Sequence, residues 1–184
     1  MQNSMQNKYV VVTGGGSGIG KGVAARFVEL GAHVTIVGRS QDRLDAAVAD
    51  LGKLAASDEQ KIRYACCDVT SEQQIAATFS EQNYPVGLDV LVANAGVALP
   101  SPILEADVDT FKFCYDVNVV GAALCFKYAA RLMLKKGGAI VAVSSIAGRY
   151  SQKYMSPYSA SKAALKMLVE GAAYELGEFG IRVN

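Results

Sequence analysis

The chain has 184 residues, of which 51% are apolar and 19% charged, a composition that builds a globular core and excludes a disordered tail. Eighteen basic residues against 17 acidic ones leave a formal charge of +1, so no net field draws the chain to nucleic acid or an anionic membrane. No apolar run has the length of a membrane span, and the opening Met1-Gln2-Asn3-Ser4 carries no charged-then-apolar signal layout, so the sequence reads as a cytoplasmic protein.

Strand-like and helix-like segments then alternate. Val10-Val11-Val12 is a short β-branched run followed by glycines. Ile19, Val23, Phe27 and Leu30 repeat at helical spacing, with Gly31 as the expected C-terminal cap. Val34 to Val37 predicts a second strand. Ser40 is placed to cap a helix whose apolar stripe is Leu44, Ala47, Val48, Leu51, Leu54 and Ala55. Ile62 to Cys66 predicts a third strand, and Thr70-x-x-Gln73 has the pattern of a capping box. Leu88 to Ala93 predicts a fourth strand. A single long helix is expected from about Asp107 to Lys135. Its apolar residues (Phe111, Cys114, Val117, Val120, Leu124, Phe126, Tyr128 and Leu132) surround the axis, so its second side faces either the fold interior or another subunit. Gly138 to Val143, Pro157 to about Gly177, and Ile181 to Val183 complete the series as strand, helix and strand.

Apolar strands separated by helices predict an α/β fold, a doubly wound parallel sheet in three α/β/α layers. The four cysteines, Cys66, Cys67, Cys114 and Cys125, form no C-x-x-C pair and read as reduced, packed thiols. His33 is the only histidine, so no metal site is expected.

Thr13-Gly14-Gly15-Gly16-Ser17-Gly18-Ile19-Gly20 joins the first strand to the first helix. In that context glycines let backbone N–H groups approach a pyrophosphate, and the helix directs its positive end at the charge. The second strand ends Val37-Gly38-Arg39-Ser40, with no acid at its tip. An acid there holds the ribose hydroxyls of NAD, whereas an arginine accommodates the 2′-phosphate of NADP. Arg39 therefore points to NADP(H) rather than NAD(H), and Asp42 is expected to face outward.

Tyr158 and Lys162 stand at i and i+4 of a predicted helix, on one face with Cβ atoms about 5–6 Å apart. A phenol is a poor base at neutral pH, and a neighbouring ammonium favours its ionised form. Ser144-Ser145 follows the fifth strand, at the sheet edge where such folds bind ligands.

The glycine loop, Asn94-Ala95-Gly96, Asn118, Ser145 and Tyr158-x-x-x-Lys162, in that order, resemble the short-chain dehydrogenase/reductase family, and the likeness runs from Val10 to Asn184. The resemblance implies a Rossmann fold in one NAD(P)-binding domain, residues 1–184. Gly14, Ser17, Gly18, Ile19 and Gly20 would line the cofactor loop, Asp68 and Val69 the adenine site, and Asn94, Ala95 and Gly96 the end of strand four. Ala93 stands where many members carry another asparagine. The implied catalytic set is Asn118, which holds a relay water; Ser145, which orients the carbonyl and stands thirteen residues before Tyr158; Tyr158, the acid/base; and Lys162, which binds the nicotinamide ribose. The implied substrate is a small-molecule ketone or secondary alcohol, and the implied assembly is a homo-oligomer.

Family members usually continue beyond a point matching Gly180-Ile181-Arg182-Val183-Asn184, so a fragment lacking a final strand and part of the substrate lid is expected. Residues 96–105 and 148–156 should flank the substrate cleft. A non-catalytic nucleotide-binding or scaffold protein, or a structural subunit that pairs through its long helix, remains the alternative reading.

Overall fold

A computed structural model describes residues 5–184; Met1 to Ser4, part of the opening read for a signal, lie outside the described residues. Six strands form one sheet: β1 (Tyr9–Thr13), β2 (His33–Gly38), β3 (Ile62–Cys66), β4 (Val90–Ala93), β5 (Gly138–Ala142) and β6 (Ile181–Val183). All pairings are parallel and the order is β3-β2-β1-β4-β5-β6. The order reverses between β1 and β4, and the crevice above their carboxyl ends is where open α/β sheets hold ligands.

Alternation along β1 feeds two cores. Val10 and Val12 pack with Val34, Ile36, Ala24, Val28 and Leu44, beneath α1 (Gly18–Glu29) and α2 (Gln41–Gly52). Val11 joins Leu91, Ile140, Phe126, Met133 and Leu165, against α5 (Gly121–Met133) and α6 (Ser156–Leu176). These side chains are fully or almost fully withdrawn from water, each one larger than alanine contributing roughly 1.5–3 kcal/mol of transfer free energy.

Local signals hold with small shifts. Gly31 adopts φ +92° directly after α1, the left-handed turn that ends many helices. Ser40 precedes α2, but its hydroxyl makes no capping bond. The helix ends at Gly52, which leaves Leu54 and Ala55 of the expected stripe exposed. The cap of α3 (Glu72–Thr78) is Ser71, which accepts from the Gln74 N–H; Thr70 instead bonds Asp68. Of the four thiols, Cys67, Cys114 and Cys125 are buried, whereas Cys66 is exposed, because it ends β3 at the sheet's rim.

The long helical stretch expected over 107–135 is present as one uninterrupted run, with a π turn inside it. α4 (Val108–Tyr115) runs into a π turn at Asp116–Val120 before α5 begins. Cys114, Val117, Ala122, Cys125, Phe126, Ala129 and Met133 face the interior, while Phe113, Tyr115 and Val120 stay exposed. Most of the apolar girdle therefore belongs to the fold, and a smaller part remains outside.

Candidate functional site

The glycine loop is held by the neighbouring strand. Thr13, 1% exposed at the end of β1, accepts through its hydroxyl from the N–H groups of Asn94 and Ala95, both at 3.0 Å. The Asn94 amide donates to the carbonyls of Thr13 at 2.9 Å and Gly14 at 3.3 Å. Asn94 thus clamps the loop to the end of β4. A Cβ on Gly20 would strike the Gly14 carbonyl and sit 2.5 Å from the Asn94 amide, so only glycine lets the first turn of α1 lie on the loop. A Cβ on Gly18, by contrast, would meet nothing within 4 Å. Ser17, Gly18 and Ile19 are exposed at the start of α1, and the Ser17 hydroxyl makes no cap bond. The helix thereby offers unengaged N–H groups and its positive end to an anion.

Beside the loop lies a cleft of about 510 Å³ lined by Gly16, Ser17, Gly38, Arg39, Ser40, Arg43 and Leu44. Arg39 and Arg43 face it together, and Asp42 is exposed outside this lining. Arg43 was not singled out in the sequence. The available signal was its place one helical turn after Arg39, directly behind an uncommitted capping serine. A smaller recess of about 110 Å³ joins Arg39 to Asp68, Val69, Ala95 and Gly96. Gly38 and Arg39 border both spaces, so the Ser17 side and the Asp68–Val69 side adjoin at the tip of β2. The open glycine face, helix N-terminus and two guanidinium groups fit a phosphorylated dinucleotide.

Across the switch point, four segments meet. Lys162, 5% exposed on α6, donates to the Val143 carbonyl at 2.8 Å, just past β5. Its ammonium lies 6.0 Å from the centroid of the Tyr158 ring, one turn earlier. Burial pushes the Lys162 amine below its ordinary value, since a desolvated ammonium is costly. A Cβ on Gly96 would lie 3.5 Å from that amine and 3.0 Å from Asn118 Oδ1, which brings the end of β4 and the π turn to the same point.

Asn118 is 1% exposed. Its Oδ1 accepts from the Val97 N–H at 2.8 Å, and its Nδ2 donates to the Val97 carbonyl and to Ser161 Oγ, both at 2.9 Å. Ser161 in turn donates to the Tyr158 carbonyl at 2.7 Å. The side chain of Asn118 is thus committed to the loop after β4 and to the turn bearing Tyr158.

The two serines after β5 separate. Ser144 Oγ donates to the Lys162 carbonyl at 3.4 Å, tying the strand to α6. Ser145 Oγ accepts from the Ala147 N–H at 3.1 Å, which leaves its hydroxyl proton available for another acceptor. Beyond them, Pro102 to Glu105 and Ser151 to Tyr154, with Ser156, enclose about 630 Å³, joining the two loops expected to flank a substrate.

A parallel sheet reversed at its centre, with a glycine loop on one side and a tyrosine–lysine turn on the other, defines a dinucleotide-binding α/β protein. The short chain dehydrogenase profile matches residues 8–184, and the chain belongs to that family. A cis-4-hydroxycyclohexanecarboxylate dehydrogenase of Sinomonas cyclohexanicum is 40% identical over 189 residues, covering 100% of this chain and 73% of its own length. A Mycobacterium ulcerans short-chain dehydrogenase/reductase superposes with TM-score 0.94 at 40% identity, covering 98% of this chain and 66% of that one. The L-sorbose reductase of Gluconobacter frateurii, complexed with NADPH and L-sorbose, gives TM-score 0.93 at 31% identity, covering 100% of this chain and 70% of that one. A 7α-hydroxysteroid dehydrogenase complexed with NADH gives TM-score 0.90 at 32% identity, covering 100% and 71%. Among the described residues, no helix is long and apolar enough to cross a membrane.

Proposed function

We propose that the chain carries the cofactor-binding and proton-transfer part of an NADP(H)-dependent oxidoreductase that interconverts a secondary alcohol and its ketone. The observation that carries this reading is the buried Lys162 amine, anchored to the Val143 carbonyl at the rim of the sheet, one helical turn from Tyr158. A nicotinamide cofactor supplies or accepts the hydride when bound.

The remaining work falls to the chain. Gly14, Ser17, Gly18, Ile19 and Gly20 cradle the pyrophosphate. Arg39, supported by Arg43, receives a 2′-phosphate, and this pair alone favours NADP(H) over NAD(H). Asp68 and Val69 border the adenine, and Ala95 and Gly96 keep the floor low beneath the nicotinamide end, with Asn94 holding the loop from behind. Tyr158 gives its phenolic proton to the carbonyl oxygen during reduction and takes it back during oxidation. Ser145, whose oxygen already accepts from Ala147, donates its own proton to that oxygen and stabilises the developing charge. Lys162 stabilises negative charge on the phenol oxygen and holds the nicotinamide ribose. Asn118 ties the loop after β4 to α6 with both Nδ2 protons, and a relay water would take the remaining lone pair of its Oδ1 or its backbone carbonyl.

The domain is one dinucleotide-binding unit in a cytoplasmic enzyme. Phe113, Tyr115 and Val120, exposed along the α4 side, are covered by a second copy of the chain. The test is Tyr158→Phe. NADPH binding, followed by fluorescence titration, should be retained while turnover falls about 10²–10⁴-fold. Turnover at the parent rate would remove the phenol from the reaction.

A further inference from the structure

Tyr154 is the one aromatic residue with positive φ among the described residues, at +67°. A bulky side chain in that region is strained, and such strain persists only where the surroundings impose it. Here the constraint is visible. The Ser101 N–H donates to the Tyr154 carbonyl at 2.6 Å, and Ser101 pairs with Met155 in an isolated parallel bridge. Ser101 is 5% exposed, so this junction excludes water. The next residue, Met155, caps α6 and accepts from the Ser159 N–H at 2.8 Å, and Tyr158 follows in the first turn. The left-handed backbone at 154 therefore connects the loop after β4 to the helix that carries the phenol.

Tyr154 remains 51% exposed and lines the 630 Å³ cleft together with Pro102, Ile103 and Leu104. The Lys153 ammonium stands 4.8 Å from the ring centroid, within cation–π range. We propose that Tyr154 is a positioning and specificity-determining residue: its strained backbone fixes Tyr158 relative to the loop after β4, and its ring forms one wall for the bulky apolar part of the alcohol or ketone. This rests on the reductase reading for the identity of the reaction, but the backbone junction can be tested without it.

Two substitutions separate the roles. Tyr154→Gly accepts the left-handed conformation and removes the ring, whereas Tyr154→Val keeps an apolar side chain but resists that conformation. Hydrogen exchange at the Ser101 amide should be slow in the parent chain and in Tyr154→Gly, and at least about tenfold faster in Tyr154→Val. Kinetics with NADP+ should show Tyr154→Gly raising KM for cyclohexanol about tenfold, with KM for 2-propanol and both kcat values within about twofold. Tyr154→Val should lower kcat for both alcohols. Equal exchange at Ser101 in all three chains, or equal KM changes for the two alcohols in Tyr154→Gly, would overturn the assignment. A parent chain that binds NADPH yet oxidises neither alcohol counts against the reductase reading, and the Ser101 amide then decides the role of Tyr154.

Discussion

The two sides of the switch point are built by opposite means. On the β1–β2–β3 side, the site is nearly contiguous: residues 13–20 form the loop, and Arg39 to Arg43 form the opposing wall. Glycine geometry and helix polarity shape it, and few side chains need to meet. On the β4–β5–β6 side, Gly96, Asn118, Ser145 and the Tyr158–Lys162 turn come from four separate stretches and depend on mutual contacts such as Asn118–Ser161 and Lys162–Val143. A binding site can be written locally, whereas a proton-transfer site must be assembled.

That contrast predicts where damage lands. After Tyr158→Phe, the largest effect should come from Ser145→Ala on the assembled side: kcat falling about 10²–10³-fold with the affinity for NADPH unchanged, checked by steady-state kinetics beside fluorescence titration. A parallel loss of cofactor affinity would mean the two sides are not separable. On the local side, Gly20→Ala forces a methyl group against the Gly14 carbonyl and the Asn94 amide. Overpacking of this kind costs about 1–3 kcal/mol. Thermal unfolding should report it in the ligand-free chain, and NADPH affinity should fall with it, because the displaced loop is the phosphate cradle. Arg39→Asp should alter choice rather than strength. The ratio of NADP(H) to NAD(H) efficiencies should drop about ten- to hundredfold as a guanidinium–phosphate contact is replaced by a carboxylate. An unchanged ratio would place the 2′-phosphate elsewhere.

The same division explains what was legible in the sequence. Strand and helix alternation, the glycine loop and Arg39 are local signals: the structure has the alternation, sets the loop between β1 and α1, and puts Arg39 directly after β2. The π turn inside the 107–135 helical stretch was not legible, because apolar periodicity continues through Asp116–Val120. What accommodates the π turn is distant: Val97 and Ser161 engage the Asn118 amide. Arg43 looked like an ordinary polar position on an amphipathic helix. Tyr154 lies in the 148–156 segment expected to flank the cleft, but its backbone conformation gave no signal, since tyrosine has no preference for positive φ and the Ser101 contacts that accompany it are distant in sequence.

The smallest predicted effect probes the cost of assembly itself. Lys162 places an ammonium in a site where, among the described residues, no carboxylate pairs with it, and burial lowers its proton affinity. Below the lowered folded value, both folded and unfolded chains carry the charge, and the folded one bears the full desolvation cost. Between that value and the ordinary lysine value near 10.4, the unfolded chain binds more protons, so stability rises with pH until the cost is gone. Lys162→Met removes the charge and keeps most of the packing. The ligand-free variant should therefore be more stable than the parent at pH 7 by on the order of 1 kcal/mol, and the gap should close as pH approaches 10.4. Thermal melts across that range read the difference directly. A variant less stable than the parent at pH 7 would show that the bond to the Val143 carbonyl outweighs desolvation, making Lys162 a structural element first. A gain in stability joined to lost turnover would show a charge retained for chemistry against the interest of the fold.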